Sequence, residues 1–252
     1  MPSREVSKYD LISARDIVLD GIGTLHQPTL AEIRDMGFET YYNHLSLIAI
    51  DIEQLAKLLQ LPEEVNLEGI VPFDIFSING KTMDLLLNSL RPFFADKLEF
   101  SEKHKTILSI SNTPSAQGLG TIDRENFVIV KNAIMEISRI AIKEPVSKKP
   151  MSETAKRISE QLAKGRAKME AAKKKTKTKD EERSALWNII GAVAACSKTY
   201  NLLNIWELTV AQLYDQFARI NNEFYLNIMA TRWCAWGEDK FEHDPWFSVP
   251  EE

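Results

Sequence analysis

The sequence predicts an α+β fold that is predominantly α-helical, with a small N-terminal β element. Three observations lead there. Apolar residues recur at three- and four-residue spacing through much of the chain, the period of an amphipathic helix. Two short segments, near 15–27 and 97–110, instead alternate apolar and polar residues around turn formers. Finally, the charge is unevenly spread, which divides the chain into an N-terminal α+β domain (1–142), a Lys-rich linker or solvated helix (143–182) and a C-terminal helical segment with an aromatic tail (183–252).

Residues 1–8 read as a polar tail. In 15–27, Ile17, Leu19 and Leu25 are apolar, and Gly21 and Gly23 permit a tight turn. Thr29-Leu30-Ala31-Glu32 fits a capping box, in which hydroxyl and carboxylate satisfy orphan helix donors reciprocally. That helix should end at Gly37. A longer one is expected over 39–60, with Tyr41, Leu45, Ile48, Ile52, Leu55 and Leu59 on one face and Pro62 as its stop. Residues 70–78 fit strand or helix equally. Thr82–Ala95 reads as a helix capped by Thr82, with Leu85, Leu86, Leu90 and Phe93 inward.

A hairpin follows, in which Leu98 and Phe100 alternate with polar residues, as do Ile107 and Ser109, around Ser101-Glu102-Lys103-His104-Lys105. Residues 111–121 read as a loop. Asp123 can cap a helix over 124–142 whose buried stripe is Phe127, Val130, Ile134, Ile137 and Ile140. Beyond the linker, Leu186, Ile189, Ile190, Val193 and Ala194 restore helical periodicity. Thr209-Val210-Ala211-Gln212 is a second capping box, and the helix after it puts Leu213, Phe217, Ile220, Phe224 and Ile228 on one side.

The totals restrict function. A hydrophobic share of 44% supports a buried core rather than wholesale disorder. Cys196 and Cys234 cannot form a disulfide framework, which points to a reducing compartment. With neither a secretory signal nor a bilayer-length apolar run, a soluble protein of the cytoplasm is expected, with no membrane partner.

Chemical motifs are missing. Gly80-Lys81-Thr82 invites a phosphate-binding reading, but the glycine required five positions earlier is Ile75. His26, His44, His104 and His243 have no zinc spacing, and Cys234 with His243 and nearby carboxylates makes a weak metal set. No catalytic, cofactor-binding or metal residues are assigned, and the expectation is a protein that is not an enzyme and takes no cofactor.

Two features fit contact with other molecules. From Lys143 to Lys179 the local charge is +9, against −14 for the remainder and −5 for the whole. Lys173, Lys174, Lys175, Lys177 and Lys179 form a basic arm that can hold phosphates or an acidic partner. It lacks interleaved aromatics for base stacking, so nucleic acid is the less favoured partner. The C-terminal aromatics Trp206, Tyr214, Phe217, Trp233, Trp236, Trp246 and Phe247 are candidate partner-binding or self-association residues. Among them, Trp206, Tyr214 and Phe217 also suit a helical core.

Two stretches resemble a known family. They are Gln27–Ile33, continuing through Gly37 and Tyr41-Tyr42 to Leu45-Ser46-Leu47, and Tyr200–Asp215, together with the closing Pro245-Trp246-Phe247. They resemble the tail assembly chaperones of tailed phages and prophages of Gram-positive bacteria. The resemblance implies a non-enzymatic factor in the host cytoplasm that binds the tape-measure protein and recruits tail-tube subunits. The alternatives are a nucleic-acid-associated phage protein using residues 148–179 and a structural tail or neck component.

Overall fold

The computed structural model describes residues 6–58, 69–111, 120–140 and 185–237. The linker at 143–182 and the terminal tail lie outside them. The fold is α+β and mostly helical, as the periodicity predicts. The chain divides into two compact units, one of Met1–Ile142 with Asn204–Asp215, the other of Lys143–Leu203 with Gln216–Glu252. Asn204–Asp215 therefore group with the N-terminal part, although the sequence reading assigned them to the C-terminal segment.

The first unit opens with a helix that the sequence reading missed, α1 (Lys8–Ser13). Its signal is Ser7-Lys8-Tyr9-Asp10, a capping box in which Ser7 Oγ accepts the Asp10 N–H and Asp10 accepts the Ser7 N–H. Strands β1 (Ile17–Leu19) and β2 (Gly23–Leu25) pair antiparallel, Ile17 opposite Leu25. Their buried residues are Ile17, Leu19 and Leu25, while Val18 points outward, the period-2 pattern expected of a half-covered strand.

The Thr29 box closes as predicted on α2 (Leu30–Met36), which ends at Gly37 with φ of 93°. The expected single helix over 39–60 is instead two, α3 (Phe38–Ala49) and α4 (Ile52–Leu58). Asp51 breaks it, because its carboxylate accepts the Gln54 N–H and so starts a new helix. Tyr41, Leu45, Ile48 and Leu55 are buried as read; Leu59 lies outside the described residues.

The ambiguous segment is a short helix, α5 (Pro72–Phe76), and α6 spans Gly80–Leu90. Asn79 caps α6 by accepting the Thr82 N–H at 2.9 Å. Thr82 is thus not the cap; its hydroxyl donates back to the Phe76 carbonyl at 2.8 Å. Leu86, Leu90 and Phe93 face inward as expected, joined by Met83 and Leu87, whereas Leu85 is exposed. A 3-10 turn at Arg91–Phe93 contains Pro92, which has no N–H to donate to a continuing α-helix.

Strands β3 (Lys97–Ser101) and β4 (Thr106–Ile110) form the predicted hairpin. The reading of 111–121 as loop misses a third strand, β5 (Gly120–Ile122), on the far side of β4. Its three residues are too few for a periodicity signal. The two sheets are stitched together by the Thr121 N–H donating to the Gly21 carbonyl at 2.9 Å. Asp96 adds a second stitch, accepting the Thr24 N–H and the Ser109 hydroxyl. Asp123 then caps the turn into α7 (Phe127–Ile137), whose Phe127, Val130, Ile134 and Ile137 are buried. Helices α3 and α7 are joined by Tyr41, whose buried hydroxyl donates to Ser138 Oγ, and by Lys131, which donates to the Ala49 carbonyl at the end of α3.

The C-terminal contribution to this unit is a 3-10 turn at Ile205–Glu207 and the start of α9 (Val210–Trp236). The Leu30 N–H donates to the Leu208 carbonyl at 2.8 Å, and Thr29 and Thr209 form an isolated antiparallel bridge. Thr209 and Gln212 complete the second predicted capping box, and Gln212 Nε2 donates to the Ile12 carbonyl. Ile205, Leu208, Val210, Ala211 and Leu213 are buried.

The second unit holds α8 (Leu186–Cys196), with Leu186, Ile189, Ile190 and Val193 buried as the periodicity requires. A polar turn follows, in which Ser197 Oγ accepts two backbone N–H groups. The rest of α9 belongs here and ends where the Gly237 N–H returns to the Trp233 carbonyl, Gly237 having φ of 64°.

Two glycines separate packing from propensity. A Cβ at Gly120 would collide with the Ile22 carbonyl, whereas one at Gly191 in α8 meets nothing. Gly120→Ala should destabilise by ~1–3 kcal/mol in urea unfolding, while Gly191→Ala should be neutral or stabilise by up to ~1 kcal/mol. Equal behaviour of the two would refute the sheet packing.

Candidate protein-interaction site

The described candidate aromatics differ in exposure. Trp206 is half-buried beside α2, with the Arg34 guanidinium 5.2 Å from its ring centre, within cation–π range. Tyr214 is also half-buried, and burial raises its hydroxyl pKa, as it does for Tyr42. Phe217 is intermediate in exposure. None of the three is fully enclosed.

Farther along α9 the apolar side emerges. Leu213 is fully buried, Phe217 and Ile220 are half-covered, Phe224 is 53% exposed and Ile228 65%. Trp233 is 40% and Trp236 75% exposed. The periodicity puts Leu213 to Ile228 on one side of the helix, and the structure buries only the first of them fully. Phe224, Asn227, Ile228, Thr231, Ala235 and Trp236 line a shallow concavity along one side of the helix. Their spacing follows the helical repeat, so a partner helix can engage them through anchors one turn apart.

Exposure of this kind costs solubility without any folding gain, and large apolar patches on soluble proteins mark interaction sites. The helix chemistry suits such a site. Phe and Trp provide large contact area, and Asn227, Thr231 and Arg232 give a polar edge. The sequence reading missed Trp187, Leu202 and Leu203 in the same unit, all of them exposed. Leu202 and Leu203 follow Asn201, whose side chain accepts the Leu203 N–H; this turn chemistry was a signal available in the sequence.

Trp246, Phe247 and the arm residues Lys173, Lys174, Lys175, Lys177 and Lys179 lie outside the described residues. So does His243, which removes it from any described metal set. Cys196 and Cys234 are free thiols and both are exposed. Among the described residues, no group of three or more His, Cys, Asp or Glu could hold a metal ion, and no helix is long and apolar enough to cross a membrane.

Residues 173–249, which contain α8, the polar turn and all of α9, match the family model described as YomV second domain. The match connects the chain with phage-derived proteins. It covers less than half of the chain and includes the whole uncovered face. No curated protein and no solved structure matches.

The gradient along α9 makes a direct prediction. Leu213→Ala should cost ~2–5 kcal/mol in urea unfolding, as for a close-packed core leucine. Phe224→Ser and Ile228→Ser should stay within about 0.5–1 kcal/mol of the parent, since exposed positions contribute little. A loss at Ile228 equal to that at Leu213 would show that the face is core.

Proposed function

We propose that this chain is a non-enzymatic phage tail assembly factor of the chaperone type, acting in the host cytoplasm. It holds the tape-measure protein and recruits tail-tube subunits. The observation that carries the reading is the uncovered apolar side of α9, which lies inside the stretch similar to YomV second domain. The sequence resemblance at Gln27–Leu47 and Tyr200–Asp215 supplies the family, and both stretches meet in the first unit through Leu30 and Leu208.

The physical case is that of a chaperone for helical clients. A long tape-measure protein presents amphipathic helices, which need a transient apolar groove to stay soluble. Phe224, Ile228 and Trp236 offer such a surface, with aromatic anchors of the kind that dominate binding energy. The arm with Lys173–Lys179 adds local positive charge that steers encounter with acidic partners and keeps a loaded complex soluble. The same arm supports the second reading, a nucleic-acid-associated phage protein.

The test is a pull-down from induced cells with tagged full-length protein. Tape-measure and tail-tube proteins are the expected prey, and combined Phe224→Ser, Ile228→Ser and Trp236→Ser should cut their recovery by about tenfold or more. Purified virions should lack the protein. Retrieval of nucleic acid alone, lost when Lys173–Lys179 are neutralised, would replace this reading with the second one. Stoichiometric presence in virions would make it a structural component.

A further inference from the structure

His26 stands between the segment before β1 and the first turn of α2. Its backbone N–H donates to the Phe93 carbonyl at 2.9 Å, which places the ring just beyond β2. Ring Nδ1 lies 2.9 Å from Asp16, and Nε2 lies 3.2 Å from both oxygens of Glu32. A neutral imidazole has one N–H, and only the imidazolium has two. Each nitrogen faces an acceptor-only carboxylate, so the arrangement is satisfied on both sides by the cation alone.

Glu32 has a second task. Its carboxylate accepts the Thr29 N–H at 2.7 Å and the Thr29 hydroxyl at 2.9 Å, closing the box that starts α2. Thr29 is the residue bridged to Thr209, and Leu30 donates to Leu208. The histidine ring therefore sits two hydrogen bonds from the backbone pairing that holds Asn204–Asp215.

We propose that His26 is a proton-operated clamp on this pairing. With both ring nitrogens protonated it ties Asp16 to Glu32, holds the Thr29 turn in register and keeps the first turn of α9 against α2. Loss of the second proton leaves one carboxylate facing a lone pair, and the pairing of Thr29 and Leu30 with Leu208 and Thr209 loosens.

The charged groups acting on the ring, among the described residues, are Asp16 from the segment before β1 and Glu32 from α2. In the adjoining turn, Arg91 donates to Asn88 Oδ1, and Arg34 on α2 donates to Asp35. Burial disfavours the charged ring, yet hydrogen bonds to Asp16 and Glu32 outweigh it and raise the His26 pKa above 6.5. Burial likewise opposes ionised Glu32, and hydrogen bonds from Thr29 and His26 outweigh it, lowering that pKa below 4.5.

The signs define a window. A raised histidine contributes stability that is complete below pH 6.5 and is lost as pH rises through its folded value. A lowered carboxyl contributes above pH 4.5 and loses its contribution as pH falls through its folded value. The clamp is tightest between the two.

Amide hydrogen exchange on the full chain tests it, with rates corrected for their intrinsic pH dependence and His26 followed by NMR from about pH 5.5 to about pH 8.5. Protection at Leu30 and Gln212 should fall several-fold in step with His26 deprotonation, while Ile107 in the sheet does not change. His26→Gln should abolish the fall. Asp16→Asn should move its midpoint to lower pH, which keeps the test open if the glutamine variant does not fold. Unchanged protection through the His26 titration, an equal fall in His26→Gln, or an unmoved midpoint in Asp16→Asn each overturns the proposal.

Discussion

The pairing of two helix starts organises the described structure. Thr29 opens α2 and Thr209 opens α9, each through its own capping box, and the two threonines face each other across an antiparallel bridge. The Leu30 N–H, one of the orphan donors at a helix start, finds the Leu208 carbonyl. Closing so long a loop has an entropic cost, but one that grows only slowly with loop length. Burial of Ile205, Leu208, Val210, Ala211 and Leu213 offsets it. The pairing is reinforced from α1, because Gln212 donates to Ile12 and Gln27 donates to Asp10 and Arg15.

Seen from this clasp, α9 has two parts with different work. The part before Gln216 completes the first unit, and its apolar residues are enclosed. The part after it keeps the same apolar period but leaves Phe224, Ile228 and Trp236 exposed. Buried apolar residues then lie at one end of the helix and exposed ones at the other. Substitutions on the exposed side should therefore have little effect on the fold. The histidine clamp acts at the enclosed end, where a change in protonation reaches the backbone pairing directly.

Local signals were legible in the sequence and long-range ones were not. Both threonine capping boxes, the Ile17–Leu25 hairpin and the Leu98–Ser109 hairpin depend on neighbours a few residues apart, and each forms as read. The break at Asp51 was hidden because the apolar period continues across it while a side chain captures a backbone donor. Strand β5 escaped because its identity comes from pairing with β4 rather than from its three residues. The candidate site shows the same limit. Periodicity correctly grouped Leu213, Phe217, Ile220, Phe224 and Ile228, but it states which residues share a face and not where the covering layer stops. The placement of 204–215 with the first unit was equally invisible, since it rests on partners near Leu30.

The Thr29–Thr209 bridge is the constraint on which the first unit's closure depends, and a cysteine pair tests it most directly. In a Cys196→Ser, Cys234→Ser background, Thr29→Cys with Thr209→Cys places two thiols on directly opposed residues, within the separation a disulfide tolerates. Under mild oxidation, non-reducing electrophoresis and mass spectrometry should find an intramolecular 29–209 disulfide in nearly all monomers. Thr29→Cys paired with Thr231→Cys, on the exposed stretch of α9, should not crosslink within the chain. Failure of the 29–209 pair to close, or crosslinking of both pairs alike, would contradict the clasp and the division of α9 that follows from it.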